Sequence, residues 1–176
     1  MKNILKYKVN STKWIVVYTK PKHEKVVRDE LLKNKFEVYL PLLRKRRKWS
    51  DRKKWVEFPL FRSYLFIKTD PKHSIQISKT NGVVRIVKFG EKIALVSDKE
   101  LDAINKMVEG GFEPRAENYF LKGNPVIVEH GPLKGLVGEV LSIENQNRLV
   151  MRIDAIQQCL SVKIDQGYLK LIDNIK

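Results

Sequence analysis

Between Arg44 and Lys54, eight of eleven residues are basic and Asp51 is the single acid. Such a run cannot enter a core, because a buried charge without a partner is strongly disfavoured. The flanking chain is apolar: FEVYLPLL (36–43) precedes it and WVEFPLFRSYLFIK (55–68) follows it, both with the β-branched and aromatic content of strands. The cationic run is therefore expected at the tip of a long β-hairpin. Pro59 should mark an edge or a bulge in the returning strand.

Upstream, KWIVVYTK (13–20) has the composition of a buried strand, ended by Pro21. His23 to Lys35 carries Val27 and Leu31 one turn apart, with Lys22, Lys25, Asp29 and Lys33 on another face, and predicts an amphipathic helix. Downstream, Asp70-Pro71 breaks the returning strand and a short helical segment reaches Thr80. GVVRIVKFGEKIALV (82–96) predicts two strands turning near Phe89-Gly90-Glu91. Ser97-Asp-Lys-Glu100 is a capping box, in which the Ser hydroxyl and the Glu carboxylate satisfy free N–H groups at a helix start. Leu101, Ile104 and Val108 then supply an apolar face, and Gly110-Gly111 stops the helix.

This order of elements predicts an α+β sandwich over residues 13–109, an antiparallel sheet with helices packed on it, after a tail at 1–12. Residues 110–122 lack a period and read as a linker. From 123 to 176, PVIVEH, LVGEVLSI, RLVMRID, CLSVKI and YLKLI alternate with turn signals, five short strands that predict a small β-barrel.

The net charge of +15 is unevenly distributed. Residues 1–116 hold 28 Lys/Arg against 13 Asp/Glu, whereas residues 117–176 hold 7 against 7. Attraction to a polyanion grows with the number of phosphates neutralised, so the N-terminal part is the candidate nucleic-acid face. The bland alternative is a generally lysine-rich surface. No apolar run approaches the roughly 20 residues of a membrane span, and MKNILKYKVNSTK lacks the apolar core of a signal peptide. A cytoplasmic protein without membrane contact, and a monomer, is the expectation.

The residues offer no catalyst. His23, His73 and His130 are isolated from one another and from the lone Cys159, so neither a metal nor another cofactor is expected. Cys159 sits in a strand pattern and reads as a packed thiol. The segment from Gly131 to Gly138 lacks the Gly-Lys-Ser/Thr ending of a phosphate loop, and its glycines suit tight turns. There is no Gly-x-Ser-x-Gly and no acid pair in an apolar context, so an enzyme is not expected.

Several motifs occur in a particular order. They are Trp14-Ile-Val-Val-Tyr18 leading to Lys20, Tyr39-Leu-Pro41, Pro59-Leu-Phe-x-Ser-Tyr64-Leu-Phe-Ile67-x-x-Asp70, Gly82-Val-x-x-Ile-Val-x-Phe-Gly90 and the Val96-Ser-Asp98 helix start. In the C-terminal part, Gly123-x-x-Val-x-Val-x-x-Gly131-Pro132-Leu-x-Gly135-x-x-Gly138 resembles a KOW motif, which opens an SH3-like barrel. In this order they resemble the NusG family of transcription elongation factors, and the arm is most similar to the specialised paralogues RfaH and the UpxY antiterminators. One departure is clear: Phe61-Arg62-Ser63-Tyr64 stands where the family commonly has Phe-Pro-Gly-Tyr, which removes a fixed turn and adds a charge.

The resemblance implies that an apolar pocket on the N-terminal domain binds the clamp helices of RNA polymerase. Tyr18, Phe61, Tyr64 and Phe66 match that pocket, and His73 and Ser74 match a contact to the polymerase gate loop. Membership of the central sheet's core is the alternative for the aromatic residues. It implies further that Lys20, Lys22, His23 and Lys25, with Thr80 and Asn81, face upstream DNA and the non-template strand. The arm residues Arg44, Lys45, Arg46, Arg47, Lys48, Arg52, Lys53 and Lys54 would hold DNA or nascent RNA, with Trp49 and Trp55 able to stack on bases. A solvated hairpin tip without a ligand is the alternative. The neutral barrel would take a protein partner, which the family suggests is NusE or Rho. The expected function is processive elongation or antitermination on particular operons. The main alternative is a ribosomal or structural RNA-binding KOW protein, against which the neutral barrel argues.

Overall fold

The computed structural model describes residues 12–48, 53–118, 123–143 and 146–172. Trp49 and Arg52 lie outside the described residues, and for Arg47, Lys48, Lys53 and Lys54 only the strand register is described. In chain order the N-terminal part comprises β1 (Lys13–Thr19), α1 (Glu24–Lys33), β2 (Glu37–Tyr39), β3 (Leu42–Lys48), β4 (Lys53–Pro59) and β5 (Tyr64–Thr69). A 3-10 turn at Pro71–His73, α2 (Ser74–Ser78), β6 (Val83–Ile86), β7 (Lys88–Phe89), β8 (Lys92–Ile93), β9 (Leu95–Val96) and α3 (Asp98–Glu109) complete it.

The sheet runs β2-β5-β1-β6, with β9 also pairing β1, and every pairing is antiparallel. Alternation along the central strand sorts its side chains between two layers. Ile15 and Val17, with Leu65 and Ile67 of β5, pack against Val27 and Leu31 of α1 and Ile77 of α2. Val16 and Phe66 turn the other way, into a cluster with Leu101, Ile104 and Met107 of α3. Val108, expected on the inward face of α3, is only half-buried, and Met107 takes the deeper position. The capping box is present: Glu100 N–H donates to Ser97 Oγ at 3.2 Å, and Ser97 N–H donates to Glu100 Oε2 at 2.8 Å.

FEVYLPLL is two strands rather than one, broken at Leu40-Pro41, and β3 pairs with β4 as a separate two-stranded ribbon. The returning strand is also divided. It stops at Pro59, and residues 60–63 turn before β5 begins. Ser63 adopts φ 64°, the left-handed region, which costs an L-residue about 1–2 kcal/mol. Two hydrogen bonds hold it there. Its N–H donates to Oε1 of the buried Glu24 at 2.8 Å, and its carbonyl accepts from Thr19 N–H at 2.8 Å. The turn expected to be lost with the family's Pro-Gly pair is thus kept, because Glu24 and Thr19 impose on serine a backbone that suits glycine. Arg62 is exposed.

The C-terminal part forms one antiparallel sheet of six strands: β10 (Arg115–Asn118), β11 (Asn124–Val128), β12 (Val137–Ile143), β13 (Gln146–Ile153), β14 (Gln158–Lys163) and β15 (Leu169–Leu171), in the order β10-β14-β13-β12-β11-β15. The five expected strands are present, and a sixth comes from within the stretch read as linker. β10 docks on the edge of β14, where Ser161 Oγ donates to Glu117 Oε1 at 2.9 Å. Beneath it, the buried Arg148 donates from Nε to Ser161 Oγ and from Nη2 to Ser161 O, both at 3.0 Å. One apolar cluster runs from Val16 and Phe66 through α3 to Val126, Leu149, Met151 and Leu160 of this sheet.

Glu24→Ala leaves the Ser63 N–H buried without an acceptor and is expected to lower stability by about 2 kcal/mol, read as a fall in the urea midpoint; Glu24→Gln, which keeps an acceptor, should lose less. Ser63→Gly should preserve or raise the midpoint, whereas Ser63→Val should lower it by about 1–3 kcal/mol. Ser97→Ala removes the helix cap and should cost about 1 kcal/mol in the same measurement.

Candidate protein and nucleic-acid interface

The groups singled out from the sequence meet mostly at one end of the N-terminal sheet, where β1 finishes. Tyr18 lies opposite Tyr64 of β5 on one side and Arg85 of β6 on the other, so Tyr64, Tyr18 and Arg85 form a row on the sheet face that also carries Val16 and Phe66. The two tyrosine rings meet edge to face, 5.2 Å between centroids at 62°. The Arg85 guanidinium stands 5.5 Å from the Tyr18 ring centroid. Burial pushes the Tyr64 phenol above its ordinary value, with Tyr18 adding to the shift and Arg85 opposing it. Both tyrosines are half-buried and Arg85 is exposed.

Phe61 and Phe66 do not share this surface. Both are 0% exposed, packed edge to face at 6.2 Å and 86°, and Phe66 lies beside Tyr39 at 6.2 Å. Alternation turns Phe66 towards α3, and the turn after β4 folds Phe61 against it. They are core residues in the layer that supports the tyrosines, not parts of an open pocket. Arg85 was not singled out from the sequence. Its signal was present as one charged residue inside the apolar run GVVRIV, but its place beside Tyr18 is set by the pairing of β1 with β6, which are distant in sequence.

Three loops close on the same strand end. Lys20 N–H donates to Gly82 O at 2.8 Å, tying the entry of α1 to the segment before β6. Gly82 has φ +92°, and a Cβ there would stand 2.8 Å from Val27 Cγ2 and 3.2 Å from His23 Cβ, so only glycine permits this approach. Lys20, Lys22, His23 and Asn81 are exposed. Lys22 is in left-handed backbone at φ 65°. His23 occupies the N-cap position of α1 without capping by its side chain; its Nδ1–H donates to Pro21 O at 3.0 Å, which leaves Nε2 on the outer side of that bond. Thr80 is buried, its N–H donating to Ile77 O and its carbonyl accepting from Val83 N–H, both at 3.1 Å. Lys25 pairs with Glu57 of β4 at 3.7 Å, joining the start of α1 to the ribbon.

In the ribbon, Arg44, Lys45 and Arg46 are exposed, and the Arg44 guanidinium sits 5.5 Å from the ring centroid of the exposed Trp55. Towards the tip, Arg47 is directly opposite Lys54 and Lys48 directly opposite Lys53. His73 and Ser74 are elsewhere. His73 lies 3.3 Å from Thr69 Oγ1 and edge-on to Phe36, at the far end of β5 from Tyr64, about 17 Å away at the rise of a strand.

In the C-terminal sheet, Gly131 and Gly135 take φ of 79° and 83° in the turn around Pro132, between β11 and β12, and Gly138 lies within β12. Gly123 N–H donates to Glu139 Oε2 at 2.6 Å, and Arg152 Nη2 clamps both oxygens of Glu139 at 2.7 and 2.8 Å. Cys159 is buried, and burial pushes its thiol up. Among the described residues, no three His, Cys, Asp or Glu side chains are grouped to hold a metal, and no helix is long and apolar enough to cross a membrane.

Residues 12–105, more than half of the chain, match the family model described as "Transcription termination factor nusG". The chain is also similar in structure to NusG of Thermotoga maritima, from the structure described as "Domain interaction in Thermotoga maritima NusG". The two are 19% identical, the match covers 92% of this chain and 98% of that one, and the TM-score is 0.57. The motifs, the α+β sandwich followed by a β domain and this match agree, and the chain belongs to the NusG family, a non-enzymatic family of transcription elongation and termination factors that interact with RNA polymerase.

Proposed function

We propose that this protein rides on transcribing RNA polymerase, holding the polymerase clamp helices with the Tyr18–Tyr64 surface and the exposed non-template DNA strand with its cations, and so promotes read-through of terminators, on particular operons. The observation that carries this reading is the convergence at the end of β1. A half-buried aromatic pair and the loops bearing Lys20, Lys22 and His23 are tied to the same two residues, Thr19 and Lys20. A protein contact and a phosphate contact made side by side are what a factor bridging polymerase and the open bubble needs.

The ribbon supports the nucleic-acid half. Arg44, Lys45 and Arg46 are exposed along it, and its register sets Arg47 opposite Lys54 and Lys48 opposite Lys53, a density of cations suited to a phosphate strand. Trp55 adds an aromatic surface of the kind on which single-stranded bases stack. His73 and Ser74, at the opposite end of β5, are suited to a second polymerase contact such as the gate loop. The C-terminal sheet, whose residues carry balanced charge, suits a protein partner such as NusE or Rho better than RNA.

Single-round elongation across a terminator with the host polymerase tests the reading. Wild type should raise read-through. Tyr64→Ala should weaken polymerase binding about 30-fold, the loss typical of a central aromatic contact, and abolish the effect. Exchange of Arg44, Lys45, Arg46, Arg47 and Lys48 for Gln should flatten the salt dependence of single-strand binding by about 0.7 in log–log slope for each phosphate no longer neutralised. Unchanged pausing and termination with wild type, with or without the native leader, would favour a ribosomal or other RNA scaffold role.

A further inference from the structure

The surface formed by Tyr18 and Tyr64 includes one charge that the polymerase-and-DNA reading does not use. Arg85 is exposed on the same face, held over the Tyr18 ring, and among the described residues no carboxylate pairs with it. An arginine held over an aromatic ring has less freedom to lose when it binds, and its planar guanidinium offers paired N–H donors. That arrangement suits a carboxylate taken by two parallel hydrogen bonds.

The tyrosines point to a protein rather than to a base. A nucleobase stacks on an open ring face, but Tyr18 has Arg85 across it and Tyr64 edge-on beside it, and both rings are half-buried. The cations suited to phosphate stand on the neighbouring loops, whereas Arg85 is in the body of a strand, in register with the aromatic pair.

We infer that Arg85 is a specificity-determining residue of the Tyr18–Tyr64 surface, and that the polymerase segment docking there carries an acidic side chain next to its apolar ones. This rests on the proposal that the surface binds polymerase. It gives the surface a charge requirement as well as a shape, so that a partner with a basic residue at that point is rejected as strongly as the acidic one is accepted.

The test is binding of the full chain to host RNA polymerase core, without nucleic acid, at low and high salt, for wild type, Tyr64→Ala, Arg85→Gln, Arg85→Lys and Arg85→Glu. Urea midpoints check that each variant folds; Arg85 is exposed, so they should stay near wild type. Arg85→Gln should weaken binding about tenfold at low salt and flatten its salt dependence, as expected for loss of a charge pair at an interface. Arg85→Lys should recover part of the affinity, since a point charge replaces the fork, and Arg85→Glu should bind more weakly than Arg85→Gln. Tyr64→Ala should weaken binding at every salt concentration. If Tyr64→Ala loses binding while Arg85→Gln and Arg85→Glu match wild type, the polymerase reading stands and the role of Arg85 is refuted. If Tyr64→Ala also binds like wild type, the polymerase reading itself fails. A loss by Arg85→Gln seen only when DNA is added would assign the guanidinium to phosphate and likewise overturn the inference.

Discussion

At the end of β1, two successive amides are committed in different directions: Thr19 N–H donates to the carbonyl of Ser63, and Lys20 N–H to the carbonyl of Gly82. These bonds fix the turn before β5 and the loop before β6 to one point on the central strand. The position of Tyr64 then follows from the first bond and that of Asn81 from the second. Glu24 reinforces the first from the side, since its carboxylate accepts from Ser63 while its own helix begins beside the loop carrying Lys22 and His23. A buried carboxylate is tolerable here because a backbone donor points straight at it. The same residue therefore links the helix that carries cations to the turn that carries the aromatic pair.

Electrostatics divides the molecule along its length. The buried layers of the sandwich are apolar, so the excess positive charge lies outside the core. It is concentrated where the chain has least packing to lose: at loop ends and on a two-stranded ribbon that contacts the remainder of the domain near its root, through Lys25 and Glu57 and through Leu43.

Much of the architecture was legible because its signals are local. The β-branched run before Pro21, the spacing of Val27 and Leu31, and Ser97 followed by Glu100 each encode an element within a few residues. What escaped depended on partners distant in sequence. The break of the returning strand at 60–63 needs Glu24 and Thr19 to hold Ser63 in left-handed backbone, which no window around Ser63 reveals. The strand at Arg115–Asn118 has weak propensity of its own and exists because β14 offers an unpaired edge. Phe61 and Phe66 look like surface aromatics beside Tyr64 in sequence, and only the placement of α3 decides which of them face solvent. Arg85 becomes notable only once the pairing of β1 with β6 has set it against Tyr18.

The docking of β10 on β14 also sets how far the C-terminal sheet could travel if the apolar cluster it shares with α3 were to open. With Arg115–Asn118 held in the ladder, residues 110–114 alone connect it to α3, and five extended residues span at most about 18 Å. Were that strand to peel away, the tether would become residues 110–122, with a maximum span of about 45 Å. With that cluster open, the reach of the C-terminal module, and hence the effective concentration at which it meets anything bound near the N-terminal domain, would be limited by the ladder of one four-residue strand and its contact through Glu117 and Ser161.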